Sequence, residues 1–161
     1  MEPAQTQALR HLLLQQDVAA LGTLHGGEPF VSMVPYALLP DGRCVVHVSR
    51  LATHTRDMEQ HPGVSLMVLG ARAPDAPAQA QPRATLQGEA RPCAPEAPDH
   101  AAARAAYLAR FPESEMMFGF SDFSLFVIAV RSVRFVAGFA QAGSLTADAY
   151  ASLMASAGPQ A

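Results

Sequence analysis

The segment Ser49-Arg50-Leu51-Ala52-Thr53-His54-Thr55-Arg56 sets hydroxyls, an imidazole and two guanidinium groups at the start of a short helix predicted over Thr53–Gln60. Hydroxyl and guanidinium donors beside the free amides and positive dipole end of a helix make a setting that attracts an anion. His54 and Arg56 therefore read either as ligands of a phosphate or as side chains that cap and solvate a helix start. Ser49 and Arg50 divide the same way, because a Ser closing a strand and a solvated Arg are both commonplace.

Other reactive residue types lack the company their chemistry needs. His54 and His61 share one helix face, but no third ligand joins them and Pro62-Gly63 ends the helix there, so no metal site is predicted. Cys44 and Cys93 are solitary, with no CxxC spacing and no Lys to activate either as a nucleophile. Ser32 and Ser124 sit in predicted strands, outside any G-x-S-x-G elbow, which argues against a hydrolase. No residue qualifies as an obligatory catalytic acid or base. His54, Tyr36 and Tyr107 are proton-donor candidates by type alone.

Composition narrows the class further. The 161 residues are 50% hydrophobic and 16% charged, which fits one folded domain over 1–161 better than a disordered chain. A net charge of −3 offers no field for nucleic acid. The eleven basic residues are all Arg, so a Lys Schiff base and a P-loop lysine are excluded. No apolar run is long enough for a membrane span, and the Gln-bearing stretch Met1–Asp17 is no signal peptide. A soluble, cytoplasmic protein with reduced thiols is expected.

The elements that would position these residues follow from periodicity. Residues 3–17 read as an amphipathic helix with Leu9, Leu12 and Leu13 on one stripe and Pro3 in the first turn. Strands are predicted over 18–24 and 30–38, joined by His25-Gly26-Gly27-Glu28, and over 44–49 after the turn Pro40-Asp41-Gly42. Further strands follow over 64–69, 83–91 and 124–136. The Pro-rich stretch 71–82 reads as an exposed, mobile loop, and the tail 148–161 as a weak, fraying helix. A helix over 99–111 carries Ala101, Ala105 and Leu108 on one stripe and Tyr107 with Phe111 on another. Seven of the eight Phe residues lie between Phe111 and Phe139, assigning that region to core and subunit interface. Arg131 and Arg134 read as a solvated strand edge in preference to groups reaching a partner's site. Mostly antiparallel strands with a few helices, and no βαβ alternation, give a mainly β (α+β) fold: an antiparallel β-barrel with flanking helices.

The blocks AALGTLHGGEPFVSMVPYAL (19–38), VVHVSRLATHTRDMEQHPGVSLMV (45–68), RATLQGEARP (83–92) and FGFSDFSLFVIAVRSVRFVAGFAQA (118–142) resemble, in that order, the FMN-binding split-barrel family. That family is related to pyridoxamine 5′-phosphate oxidase, and the match is closest to its haem-iron-utilisation-like branch. The resemblance implies an antiparallel split β-barrel, a homodimer with the flavin site at the interface, and FMN as cofactor. It implies a flavin phosphate held by Ser49, Arg50, Thr53, His54, Thr55 and Arg56. It also implies a flavin ring lying along Val31, Ser32, Met33 and Val34, with a small-molecule substrate of an FMN-dependent oxidoreductase beside it. His47 would be a satisfied or flavin-adjacent histidine in preference to a haem axial ligand.

The chain departs from the oxidase pattern. By position, Ser32 and Ala37 stand where an Arg and a Lys help bind the phosphate, and Thr53 and His54 replace a basic pair. No His occurs after His100, so the substrate-binding Arg-x-His is missing, and there is no Trp. Oxidation of pyridoxamine phosphate itself is therefore not expected. Relative to the haem-utilisation pattern, Asp57 replaces an Asn, and the glycine block reads Gly138-Phe139-Ala140-Gln141-Ala142. The alternative reading is a non-catalytic flavin- or haem-binding protein of that branch.

Overall fold

Helix α1 (Pro3–Gln15) opens on Pro3, where a missing N–H costs no helical hydrogen bond, and it buries Leu9, Leu12 and Leu13 as the spacing predicts. From Val18 the period becomes two. Strands β1 (Val18–His25) and β2 (Glu28–Pro35) pair antiparallel over their whole length. Gly26 and Gly27 join them with φ of 59° and 86°, the positive values that a tight hairpin with the native strand twist requires. The computed structural model describes residues 1–138 and 141–156.

The predicted strand over 30–38 is interrupted, because Pro35 has no N–H to donate and Tyr36 turns inward to give its hydroxyl to Leu13 O at 2.7 Å. A short β3 (Ala37–Leu38) follows, then β4 (Cys44–Ser49), α2 (Thr53–Gln60), β5 (Gly63–Leu69) and β6 (Arg83–Pro92). The chain continues through α3 (His100–Arg110), a 3₁₀ stretch over Pro112–Gly119, β7 (Phe123–Gly138), β8 (Gln141–Thr146) and α4 (Ala147–Ala155). The strands form one antiparallel sheet in the order β2-β1-β5-β6-β7-β4-β3, with β8 beside β7. β2 at one end of that order comes back against β4 near the other. The sheet thus curls into a split barrel. A bulge at Gln87/Gly88 helps it bend, and a Cβ on Gly88 would lie 2.3 Å from Ala129 O, so the close approach of β6 and β7 requires glycine there.

Two apolar clusters hold the fold. The larger fills the barrel, where Leu21, Leu66, Phe126 and Phe135 meet α1, Met58 of α2 and Tyr150 of α4. The smaller lies under α3, where Ala103, Tyr107 and Phe111 pack on Val45, Leu125 and Val127. Hence the Tyr107/Phe111 stripe is the buried one, whereas Ala101 and Ala105 face outward because Ala103 takes the core position. The C-terminal helix is better anchored than its composition suggests. Thr146 caps α4 by accepting from Ala149 N, and buried Tyr150 donates to Gly42 O at 2.9 Å. Residues 71–82 contain a 3₁₀ turn over Ala78–Ala80 and are closed at their base by Gly70 N–H to Pro82 O. The expectations for Phe139, Ala140 and 157–161 lie outside the described residues. Among the described residues no helix is long and apolar enough to cross a membrane.

Candidate functional site

Alternation along β1 and β2 sends Leu21, Thr23 and His25 to the same side of the hairpin as Phe30, Ser32 and Val34, since Thr23 faces Phe30 and Leu21 faces Ser32 in the register. α2 covers that side at one end of the barrel. It anchors there through Met58, which enters the core, and two polar contacts fasten it to the hairpin. In the first, Ser32 Oγ and His54 Nδ1 are 3.0 Å apart. In the second, one turn further along the helix, Asp57 accepts from Thr23 Oγ1 at 2.8 Å and from His25 Nδ1 at 2.8 Å.

The electrostatics of the two contacts differ. Burial pushes the His54 pKa down, the Asp57 charge opposing only in part, so His54 is neutral at pH 7. Burial pushes the Asp57 carboxyl up, but the hydrogen bonds from His25 and Thr23 and the charges of His25 and Arg56 outweigh it and hold Asp57 below the usual carboxylate range. A carboxylate has no proton to give, so the proton in the shared bond sits on His25 Nδ1; Nε2 is the ring nitrogen left free of Asp57, and it carries a lone pair when the imidazole is neutral.

The β4–α2 loop is braced from inside. Ser49 Oγ donates to Asp122 Oδ2 at 2.7 Å and accepts from Leu51 N–H, Thr55 Oγ1 donates to Ser49 O at 2.7 Å, and Arg50 N–H donates to Asp122 O. Of the residues the sequence groups as a phosphate site, Ser49 and buried Thr55 are thus occupied by the loop itself. Thr53 is half-buried, Arg50 and Arg56 are exposed, and only His54 reaches β2. The β2 residues grouped with the flavin ring also separate: Val31 and Met33 point outward and are exposed, Ser32 meets His54, and Val34 is buried in the core. Among the described residues no strand pairs with β2 on the side away from β1, so the backbone groups of that edge have no ladder partner even though β2 comes back against β4.

A cavity of about 650 Å³ lies between β4, α3 and the 3₁₀ stretch and reaches Arg50 and, on α2, Glu59; His47, Cys93, Arg104, Phe118 and Phe123 also line it. His47 is a buried part of its wall. Its ring stacks on Phe118 with centroids 3.9 Å apart, meets Tyr107 edge-on, and is held neutral by burial, which pushes its pKa down to about 4. Phe126 belongs to the barrel core, Phe118 covers His47 and Phe120 is exposed. Arg131 and Arg134 bond to Glu89 and Ser144 on exposed strand surface. Cys44 and Cys93 are buried free thiols whose pKa values burial raises, Cys44 to about 12. Among the described residues no three His, Cys, Asp or Glu side chains gather as a metal site.

The Thr23–Asp57–His25 cluster and Asp122 are the site features that sequence reasoning missed. The Asp57 departure was visible, but its partners lie 34 and 32 positions away, across a strand and a hairpin.

This donor set fits the two groups implied by the resemblance unequally. A flavin phosphate at residues 49–56 would draw positive charge from Arg50 and Arg56 only, would find His54 neutral, and would meet the Asp122 carboxylate that holds Ser49. Haem needs apolar surface and an imidazole nitrogen, and this end of the barrel offers part-exposed Phe30 beside the exposed ring of His25. Residues 5–137 match the pyridoxamine 5′-phosphate oxidase family. The chain is 40% identical over 116 residues to the chloroplastic non-canonical heme oxygenase HOZ of Arabidopsis thaliana, covering 72% of this chain and 34% of that protein. It superimposes on a heme binding protein from Mycobacterium smegmatis with a TM-score of 0.83 at 35% identity, over 94% of this chain and 62% of that one. HutZ from Vibrio cholerae, described as a heme storage protein, shares the fold with a TM-score of 0.70 at 22% identity, over 88% of this chain and 94% of that one. The chain therefore spans about a third of the curated relative's length and less than two thirds of the mycobacterial structure. With the family's residues matched from α1 to the end of β7 and the curled antiparallel sheet in place, this chain belongs to the pyridoxamine 5′-phosphate oxidase family of split-barrel proteins.

Proposed function

We propose that this chain is a haem-binding split-barrel protein that takes haem at the α2 end of the barrel, as ligand or as substrate. The observation that carries the reading is the donor set there: neutral His54 on Ser32, carboxylate-backed His25, and a β2 strand with no cation for a flavin phosphate. Two relatives above 30% identity whose names carry heme support it. The protein's own residues bind the ring plane on apolar side chains and present an imidazole, while the bound iron supplies the redox chemistry. Haem breakdown is the reaction class we assign to any turnover, on the strength of the Arabidopsis relative.

A second reading, an FMN-dependent oxidoreductase, is favoured by Arg50 and Arg56 flanking the start of α2 and by the family's name. The outward side of β1, β2 and β5 exposes Val18, Val31 (68%), Met33 (63%), Met67 and Leu69. An apolar face of this kind next to an open strand edge suits a second copy of the chain, and we assign the protein as a homodimer. The two buried free thiols suit a reducing, cytoplasmic setting.

Parallel titrations of the purified chain with hemin and with FMN test the reading. Saturable appearance of a bound-haem Soret band, with little quenching of flavin fluorescence, is expected. Tight FMN binding with no Soret change would transfer the assignment to the oxidoreductase.

A further inference from the structure

We infer that His25 ligates the haem iron through Nε2, with Asp57 as the positioning residue that aims it; the inference rests on the haem reading above. Asp57 is nearly the whole of the case. Its side chain is 4% exposed while that of His25 is 59% exposed, so a buried carboxylate holds a solvent-facing imidazole. Burying a carboxylate is costly, and for stability alone an apolar side chain at that position of α2 would serve as well. What the carboxylate provides is direction. It receives Thr23 Oγ1 on one oxygen and His25 Nδ1 on the other, each at 2.8 Å, which fixes the ring and its tautomer and makes Nε2 the better electron donor.

The chemistry selects the metal's carrier. No three ligating side chains gather among the described residues, so a bare ion is not held here. A porphyrin iron brings four nitrogens of its own and asks for one or two from the protein. Phe30, with its ring centroid 5.8 Å from that of His25, gives an apolar flank on the same side of the hairpin, and it is itself part-exposed. The other five histidines serve less well. His47 is closed in by Phe118 and Tyr107, His54 has its Nδ1 on Ser32, and His11, His61 and His100 have no carboxylate partner among the described residues. The neutral imidazole is the ligand: its Nε2 lone pair forms the bond to iron, any Nε2 proton having first passed to solvent, and the Nδ1 proton stays in its bond to Asp57.

The test is a hemin titration of the full chain, followed by absorbance and by electron paramagnetic resonance of the ferric complex. Wild type, His25→Ala and Asp57→Asn are compared, each first checked for unchanged far-ultraviolet circular dichroism. The wild-type complex is expected to carry an axial-imidazole signature. His25→Ala should lose it and bind hemin roughly tenfold or more weakly, with added imidazole restoring the signature; Asp57→Asn should keep it with affinity lowered by roughly tenfold. A His25→Ala protein with wild-type spectrum and affinity would overturn the inference and leave the haem reading standing. A wild-type chain that binds no hemin would overturn the reading itself.

Discussion

His25 on β1 and His47 on β4 sit in opposite chemical settings. His25 lies at the tip of β1, exposed, with one nitrogen tied to buried Asp57. His47, in the middle of β4, is enclosed by Phe118, Tyr107 and Phe123 and is held neutral by burial. A residue that works needs an open atom and a partner that aims it, whereas a residue that packs needs neighbours on every side. The cavity of about 650 Å³ borders the packed histidine, so the proposed ligand at His25 and that cavity are separate candidates that experiment can tell apart.

The most forceful way to break the comparison is to empty the packed site. His47→Ala leaves a void under Phe118 and should cost about 2–4 kcal/mol of stability in chemical denaturation, in the range of large-to-small core changes, with hemin affinity unchanged. The same residue predicts a pH response. Its folded pKa lies near 4, below the ordinary 6.5, so between those values the unfolded chain binds the extra proton and stability falls as pH falls. The slope is bounded by about 1.4 kcal/mol per pH unit for one proton; His54, lowered in the same direction, adds to the fall. In His47→Phe, urea midpoints measured from pH 7 to 4 should fall less steeply than in wild type.

Asp57→Ala sharpens the contrast at intermediate size. Thr23 Oγ1 would lose its acceptor in a buried position, which costs about 1–3 kcal/mol in the same denaturation assay, and His25 would lose its direction. Smallest of all, His25→Ala should cost about 0.5–1.5 kcal/mol in the same assay, because buried Asp57 loses one hydrogen-bond donor while the ring that is removed is itself exposed.

What could be read in the sequence was local. The helix over Thr53–Gln60 coincides with α2, its end marked by His61-Pro62-Gly63. The glycine hairpin is where the Gly26-Gly27 pair places it. The blocks that carry the family resemblance lie on the strands and α2 that form the barrel. Less legible was β8, whose Gln141–Thr146 segment lacks an alternating apolar pattern and pairs only because β7 supplies the register. At the site, the sequence brought out Ser32 and His54 but had no means of pairing Ser49 with Asp122, 73 positions away, or His25 with Asp57. Those contacts are made by the curl of the sheet. Composition carries no trace of them.

The most direct test of the account sets the two histidines side by side in one hemin titration read at the Soret band, with wild type, His25→Ala and His47→Ala. His47→Ala is expected to keep a wild-type spectrum despite its lowered stability, and His25→Ala to show an altered spectrum with weaker binding despite its intact fold. The reverse pattern, with His47→Ala losing the haem spectrum and His25→Ala keeping it, would contradict the account and move the ligand to the α3 cavity.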